Sequence, residues 1–126
     1  MAFEESLKCI SVPSNSDLSA AQYHFVDVGS DGYLDLVGTG AKAIGVLQNK
    51  PNGATNTDVG AVGIDGLTKV EAAEAITTGD DVASNSAGEA VTATTGDIVL
   101  GRAFTDASGD GSVFSMLLTL SSEPLA

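Results

Sequence analysis

Tryptophan is absent from the 126 residues, and the chain has one cysteine, one histidine, three prolines and only five basic side chains. Each shortage excludes something. Cys9 alone cannot close an intrachain disulfide or furnish a thiolate metal site, so neither kind of staple holds the fold. Five Lys and Arg against 17 Asp and Glu leave a formal charge of −12, which repels phosphate and gives nucleic acid no electrostatic footprint. No run approaches the ~20 apolar residues of a membrane-spanning helix. Glu4 and Glu5 stand where a secretory leader carries basic residues, and no long apolar stretch follows them, so a soluble product of the cytoplasm is expected.

What is present fits one domain with a thin core. Leu, Ile, Val and Phe supply 32 of 126 residues, enough for a packed interior. Ala, Gly, Ser and Thr supply 56, so each buried position removes less apolar surface from water than a Leu or Phe would. A chain of this kind gains from oligomerisation or from docking on a partner.

Residues 1–22 read as an extended N-terminal arm. A short apolar run, Cys9 to Val12, is followed by Pro13, which fixes φ, and by the turn-forming cluster Ser14 to Asp17. Residues 23–126 read as a single β domain. Phe25–Val28, Tyr33–Val37, Ala43–Leu47, Val59–Ile64, Leu67–Ala72, Glu89–Ala93, Ile98–Phe104 and Val113–Leu120 are short runs rich in Val, Ile and Leu. Gly- and Asn-containing turns separate them, with Asp65-Gly66 the clearest two-residue hairpin signal. The expectation is an all-β fold, a small barrel or sandwich. Lys69 to Ile76 reads as strand, with a helix of one or two turns over 69–76 as the alternative, because Ala and Glu favour helix.

Sliding the sequence against itself reveals an internal pseudo-repeat over 27–64 and 81–118. Asp27-Val28 falls on Asp81-Val82 at an offset of 54. Gly32, Gly40, Gly45 and Gly53 then fall on Gly88, Gly96, Gly101 and Gly109 at an offset of 56. Val59, Val62 and Ile64 return to the offset of 54 against Val113, Met116 and Leu118. Two similar halves closing on one another are expected.

Recognisable chemistry is sparse. His24, between Tyr23 and Phe25, has no Ser or Cys in a nucleophile setting and reads as a strand histidine. Asp65, Asp80, Asp81, Asp97, Asp106 and Asp110 sit in turns, where Asp accepts local backbone hydrogen bonds. Asp106, Ser108, Asp110 and Gly111 echo the start of an EF-hand loop, but Leu117 stands where the bidentate Glu is needed. No G-x-G-x-x-G or phosphate-binding loop is present. No catalytic, cofactor or metal residues are therefore assigned. A small hydrolase would have to work with a single His and no pocketed carboxylate pair.

Leu18-Ser19-Ala20-Ala21-Gln22-Tyr23-His24-Phe25-Val26, Ala43-Ile44-Gly45-Val46-Leu47-Gln48-Asn49-Lys50-Pro51, Gly79-Asp80 and Thr95-Gly96-Asp97-Ile98-Val99-Leu100-Gly101-Arg102-Ala103 together resemble the capsid decoration, or cement, proteins of tailed bacteriophages. The resemblance runs from about Phe3 to Leu120. It implies a non-enzymatic β protein, made in the host cytoplasm, that joins the outer surface of the virion head near threefold or quasi-threefold points. Its partners would be the major capsid protein and itself, as a homotrimer, with no nucleic acid and no membrane. On this reading Phe3, Leu7, Ile10 and Val12 of the arm are the expected capsid or subunit contacts, through strand addition to a neighbour. A virion-displayed module binding host-surface glycan is the rival reading, for which the chain offers two Tyr and four Phe as possible platform.

Overall fold

Short runs of β-branched and apolar residues, punctuated by glycines that accept positive φ, leave the chain little choice but strand and tight turn. The computed structural model describes residues 5–121 and 123–125. It contains nine strands: β1 (Glu5–Ser14), β2 (Phe25–Val28), β3 (Leu34–Leu36), β4 (Gly45–Leu47), β5 (Asp58–Glu71), β6 (Asp81–Ser84), β7 (Ala90–Thr92), β8 (Gly101–Ala103) and β9 (Val113–Leu118). They form one antiparallel sheet in the order β3-β2-β4-β5-β9-β8-β6-β7, with β1 added to β5, and the sheet curls into a half-barrel. The all-β expectation holds.

Over 69–76 the strand reading is favoured and the helical alternative fails, and one turn expectation fails as well. None of the described residues is helical: Lys69 to Glu71 complete β5, while Ala72 and Ile76 make isolated bridges to Ala90 and Ala107. Asp65-Gly66 is not a hairpin either, because β5 runs through it for 14 residues with Gly66 at φ 117°. The irregularity sits across the ladder, where β1 shifts register on both sides of Lys8, opposite Asp65. A Gly at positive φ serves a bulge as readily as a hairpin turn, and here flanking strands on both sides hold the chain extended.

The strand order is palindromic about the β5–β9 pair, and the registers follow suit. Val26↔Leu36, Asp27↔Asp35 and Val28↔Leu34 reappear, with 56 added to every number, as Val82↔Thr92, Ala83↔Val91 and Ser84↔Ala90. Phe25↔Val46 and Val26↔Gly45 likewise become Asp81↔Arg102 and Val82↔Gly101. Asp81-Val82 is thus the counterpart of Phe25-Val26, not of Asp27-Val28. In the next strand the offset drops to 54, since Leu47↔Val62 corresponds to Ala103↔Met116. β1 also has a counterpart: Ile10↔Val62 and Val12↔Gly60 correspond to Thr68↔Met116 and Val70↔Phe114. Within residues 5–14 the segment read as an arm is a sheet strand on β5, occupying the place that the second half of β5 holds on β9.

The core is divided in the same way. Val12, Leu18, Ala21, Val26, Leu34, Leu47 and Val62 form one cluster. A larger one contains Val70, Ile76, Val82, Ala90, Ala103, Phe114 and Met116 together with Phe25, Val46 and Leu100. Volumes are exchanged between equivalent positions. In the first cluster Gly60 leaves room for two leucines, since a Cβ on it would overlap Leu34 Cδ1 and lie 3.0 Å from Leu47 Cδ1. In the second, Phe114 stands in the place of Gly60, and Ala90 and Ala103 stand in the places of the leucines. Total volume is what a core conserves.

Gly45 and Gly101, one on each side of the palindrome, let β4 and β8 approach their neighbours closely. A Cβ on Gly45 would run into the backbone carbonyl of Gly63, whereas on Gly101 it would first meet the flexible end of Met116, at 2.5 Å, and the Leu117 carbonyl oxygen only at 2.7 Å. Gly45→Ala should therefore destabilise by at least the ~1–3 kcal/mol typical of overpacking, and by more than Gly101→Ala. Urea midpoints of the two variants measure the difference; equal midpoints would contradict it.

Candidate functional site

The outward side of β8 and β9 gathers residue types that are scarce elsewhere. Gly101–Ala103 is too short to cover its neighbours, so Phe104, which follows it, is 55% exposed, and Leu117 of β9 is 42% exposed. With Thr78, Gly79, Arg102 and Ala103 they line an open hollow of ≈ 350 Å³. Arg102 is the only arginine of the sequence, and Phe104 is the only exposed aromatic side chain among the described residues. Aromatic and Arg side chains are the types that most often anchor protein interfaces. The sequence reading missed this pair because each residue looked like an ordinary member of a strand-like run.

The four expected contact residues part company. Phe3 lies outside the described residues. Leu7 is half-buried against the larger core cluster and Val12 is buried in the smaller one. Ile10 remains 39% exposed, on the same side of β1 as Val12. Among the described residues β1 pairs only with β5, so its other edge is open. Lys8 and Pro13 sit on that strand, both types that blunt an open edge.

A second cluster lies on the opposite side of the palindrome. Tyr23 has φ 68°, the only positive value outside glycine among the described residues, and its counterpart at 56 further on is Gly79. The Tyr23 carbonyl accepts a hydrogen bond from the Glu71 amide at 3.0 Å, tying the segment before β2 to the end of β5. His24 follows, only 8% exposed. Its Nδ1 lies 2.9 Å from the Ala87 carbonyl at the tip of the β6–β7 hairpin, so Nδ1 carries the proton and donates. Nε2 is enclosed and makes no hydrogen bond, with Glu71 Oε2 at 3.4 Å. Glu89, half-buried, completes the group, and the donor atoms of His24, Glu71 and Glu89 lie within 4.8 Å of one another. Burial, with the Glu89 carboxylate alongside, raises the Glu71 pKa above its ordinary 4.5 against the opposing pull of His24.

Turn carboxylates behave as their setting dictates. Asp106 Oδ1 accepts from the Thr78 amide and hydroxyl, each at 2.7 Å, which depresses its pKa and commits it to joining two loops. Asp17 is held down by the Ser19 hydroxyl and amide, and Asp58 by the amides of Asn52 and Val59. A carboxyl whose pKa is lower folded than unfolded stabilises above the unfolded value and loses that contribution as pH falls through the folded one. Stability should therefore decline as the pH drops below 3.8, the ordinary value of all three. Urea denaturation of Asp106→Asn against the parent should show the gap between them closing as the pH is lowered through that region; a gap independent of pH would contradict it.

The model of the phage cement protein family matches residues 10–119. The chain belongs to that family. No curated protein matches it at the level of sequence. Among solved structures, the N base of head fiber gp8.5 of bacteriophage phi29 is similar in fold, with a TM-score of 0.69 at 18% identity, covering 92% of this chain and 98% of that one. The cement protein is thus a structural component of a phage head, its partner is the capsid and its place is the virion.

Proposed function

We propose that this cement protein binds the outer face of an assembled head, bridges major capsid protein subunits near threefold or quasi-threefold points as a homotrimer, and stabilises the shell against the pressure of packaged DNA. Membership of the cement family over residues 10–119 is the observation that carries this reading. Two similar halves in one domain give a subunit with two contact regions, one on β8 and β9 and one on β1. The hollow between Phe104 and Leu117 takes the main apolar contact with the capsid, and Ile10 with the open edge of β1 takes the contact with a neighbouring copy or capsid subunit. A charge of −12 keeps the free protein soluble at high copy number and gives it no reason to compete for DNA. Repetition over the lattice turns modest single contacts into lasting decoration. A glycan platform has no support from the described aromatics, of which only Phe104 is exposed.

Adding purified protein to undecorated heads tests the proposal. Co-sedimentation at a fixed copy number per capsid protein, with a higher temperature of DNA release, is the expected result. Heads that bind the protein without any gain in heat resistance would remove the stabilising role; heads that bind none would remove the proposal.

A further inference from the structure

We propose that His24, Glu71 and Glu89 form a binding site for one divalent transition metal ion of the Zn²⁺ class, which clips the tip of the β6–β7 hairpin to the segment before β2 and the end of β5. The geometry of the imidazole is the main argument. Nδ1 is committed as donor to the Ala87 carbonyl, so that in the neutral imidazole, the form that ligates a metal, the lone pair is on Nε2. That atom is enclosed, in a residue 8% exposed, without a hydrogen bond of its own, and it is aimed at two carboxylates. A buried polar atom in that state costs stability unless something pairs with it.

Distances and charge agree. Ligands at ~2.0–2.2 Å around a tetrahedral ion lie about 3.3 Å from one another. His24 Nε2 and Glu71 Oε2 are already 3.4 Å apart, and Glu89, within 4.8 Å, closes the rest by rotating a half-buried side chain. One neutral imidazole and two carboxylates carry two negative charges, which a dication neutralises; the fourth position is left to water. A nitrogen donor and only three protein ligands disfavour Ca²⁺, which takes six to eight oxygens, and Mg²⁺, which demands an octahedron of oxygen.

The site is unique within the palindrome. The positions equivalent to His24, Glu71 and Glu89 hold Asp80, Pro13 and Tyr33, so the related place in the palindrome offers no such donor set. Its ligands come from both halves, His24 from the first and Glu89 from the second. In a chain whose single cysteine closes no internal disulfide, it would add coordination bonds to the hydrogen bonds that already link the two halves.

Titrating the metal-free full chain with ZnCl₂ or CoCl₂, followed by calorimetry and thermal melting, tests this. Binding of one ion per chain should raise Tm progressively with metal concentration. Glu89→Gln and His24→Gln should each weaken binding by at least about tenfold, the loss seen even for outer partners of metal ligands. Asp110→Asn, an exposed acidic control, should leave binding unchanged, and MgCl₂ and CaCl₂ at the same concentrations should not raise Tm. Because His24→Gln risks the local fold, Glu89→Gln is the deciding variant. No tight single-site binding, or binding that Glu89→Gln leaves intact, would overturn the proposal, as would an equal response to Ca²⁺.

Discussion

Truncating Phe114 to Ala is expected to cost about 3–5 kcal/mol, the range for deleting a buried Phe side chain. Against the ~5–15 kcal/mol that holds a typical domain together, such a loss leaves the chain close to unfolding at physiological temperature. Phe114 is fully buried, and the cluster it belongs to holds Ala90 and Ala103 where the other half has leucines, so these two positions cannot fill the gap. The equivalent place in the first half supplies the control. Gly60 stands there beside Leu34 and Leu47, the same space filled from the other direction. Phe114→Gly should therefore be rescued in part by Ala90→Leu with Ala103→Leu, and those two substitutions alone should destabilise a chain that retains Phe114. Urea unfolding of the four proteins measures the coupling. Strict additivity would mean that volume exchange between the clusters does not govern these positions.

On decorated heads, the largest loss should come from Phe104→Asp combined with Leu117→Asp. Both side chains are exposed in the free protein, so their replacement leaves the core alone while placing two carboxylates where the apolar contact is proposed. Interface anchors of this kind are worth about 2 kcal/mol or more each, which is roughly 30-fold in affinity. Multiplied over two positions, that should remove the protein from heads altogether in a sedimentation assay, while circular dichroism of the free variant still shows a folded β protein. Ile10→Asp should act at the other contact with a smaller effect. It is preferable to removing the N-terminal strand, because deletion would also take Val12 from the core and unpair β5. Contacts that rest on apolar area should persist at high salt. Full binding by the Phe104/Leu117 double variant would exclude this surface.

Much of the sheet was legible because its punctuation is local. Gly32, Gly40, Gly88 and Gly96 all adopt positive φ, as turn glycines should, and their spacing of 56 matches the registers of the strands they join. The strand limits were read too generously: Ile98–Phe104 contains only β8, since hydrophobicity marks burial and not ladder pairing. Asp65-Gly66 misled for the same reason in reverse, as a sequence signal for positive φ does not say whether the chain turns or bulges. Residues 5–14 looked like an arm because a strand's partner is invisible to its own sequence; β5, which receives it, lies some fifty residues away. The His24 cluster was out of reach on similar grounds. Its members come from three separate strand ends, and only their place in the palindrome, where the two halves differ in chemistry, would have singled them out.

The single strand β5 belongs to both halves, pairing with β1 and β4 through one stretch and with β9 through the next. Two units that share a strand cannot melt separately, since unzipping either one frays the backbone on which the other is built. Unfolding should accordingly be a single transition despite the two core clusters. Folding carries the corresponding delay: β1 leaves the ribosome first, yet finds its partner only after β5 has emerged, and the second half is assembled on the strand that completes the first.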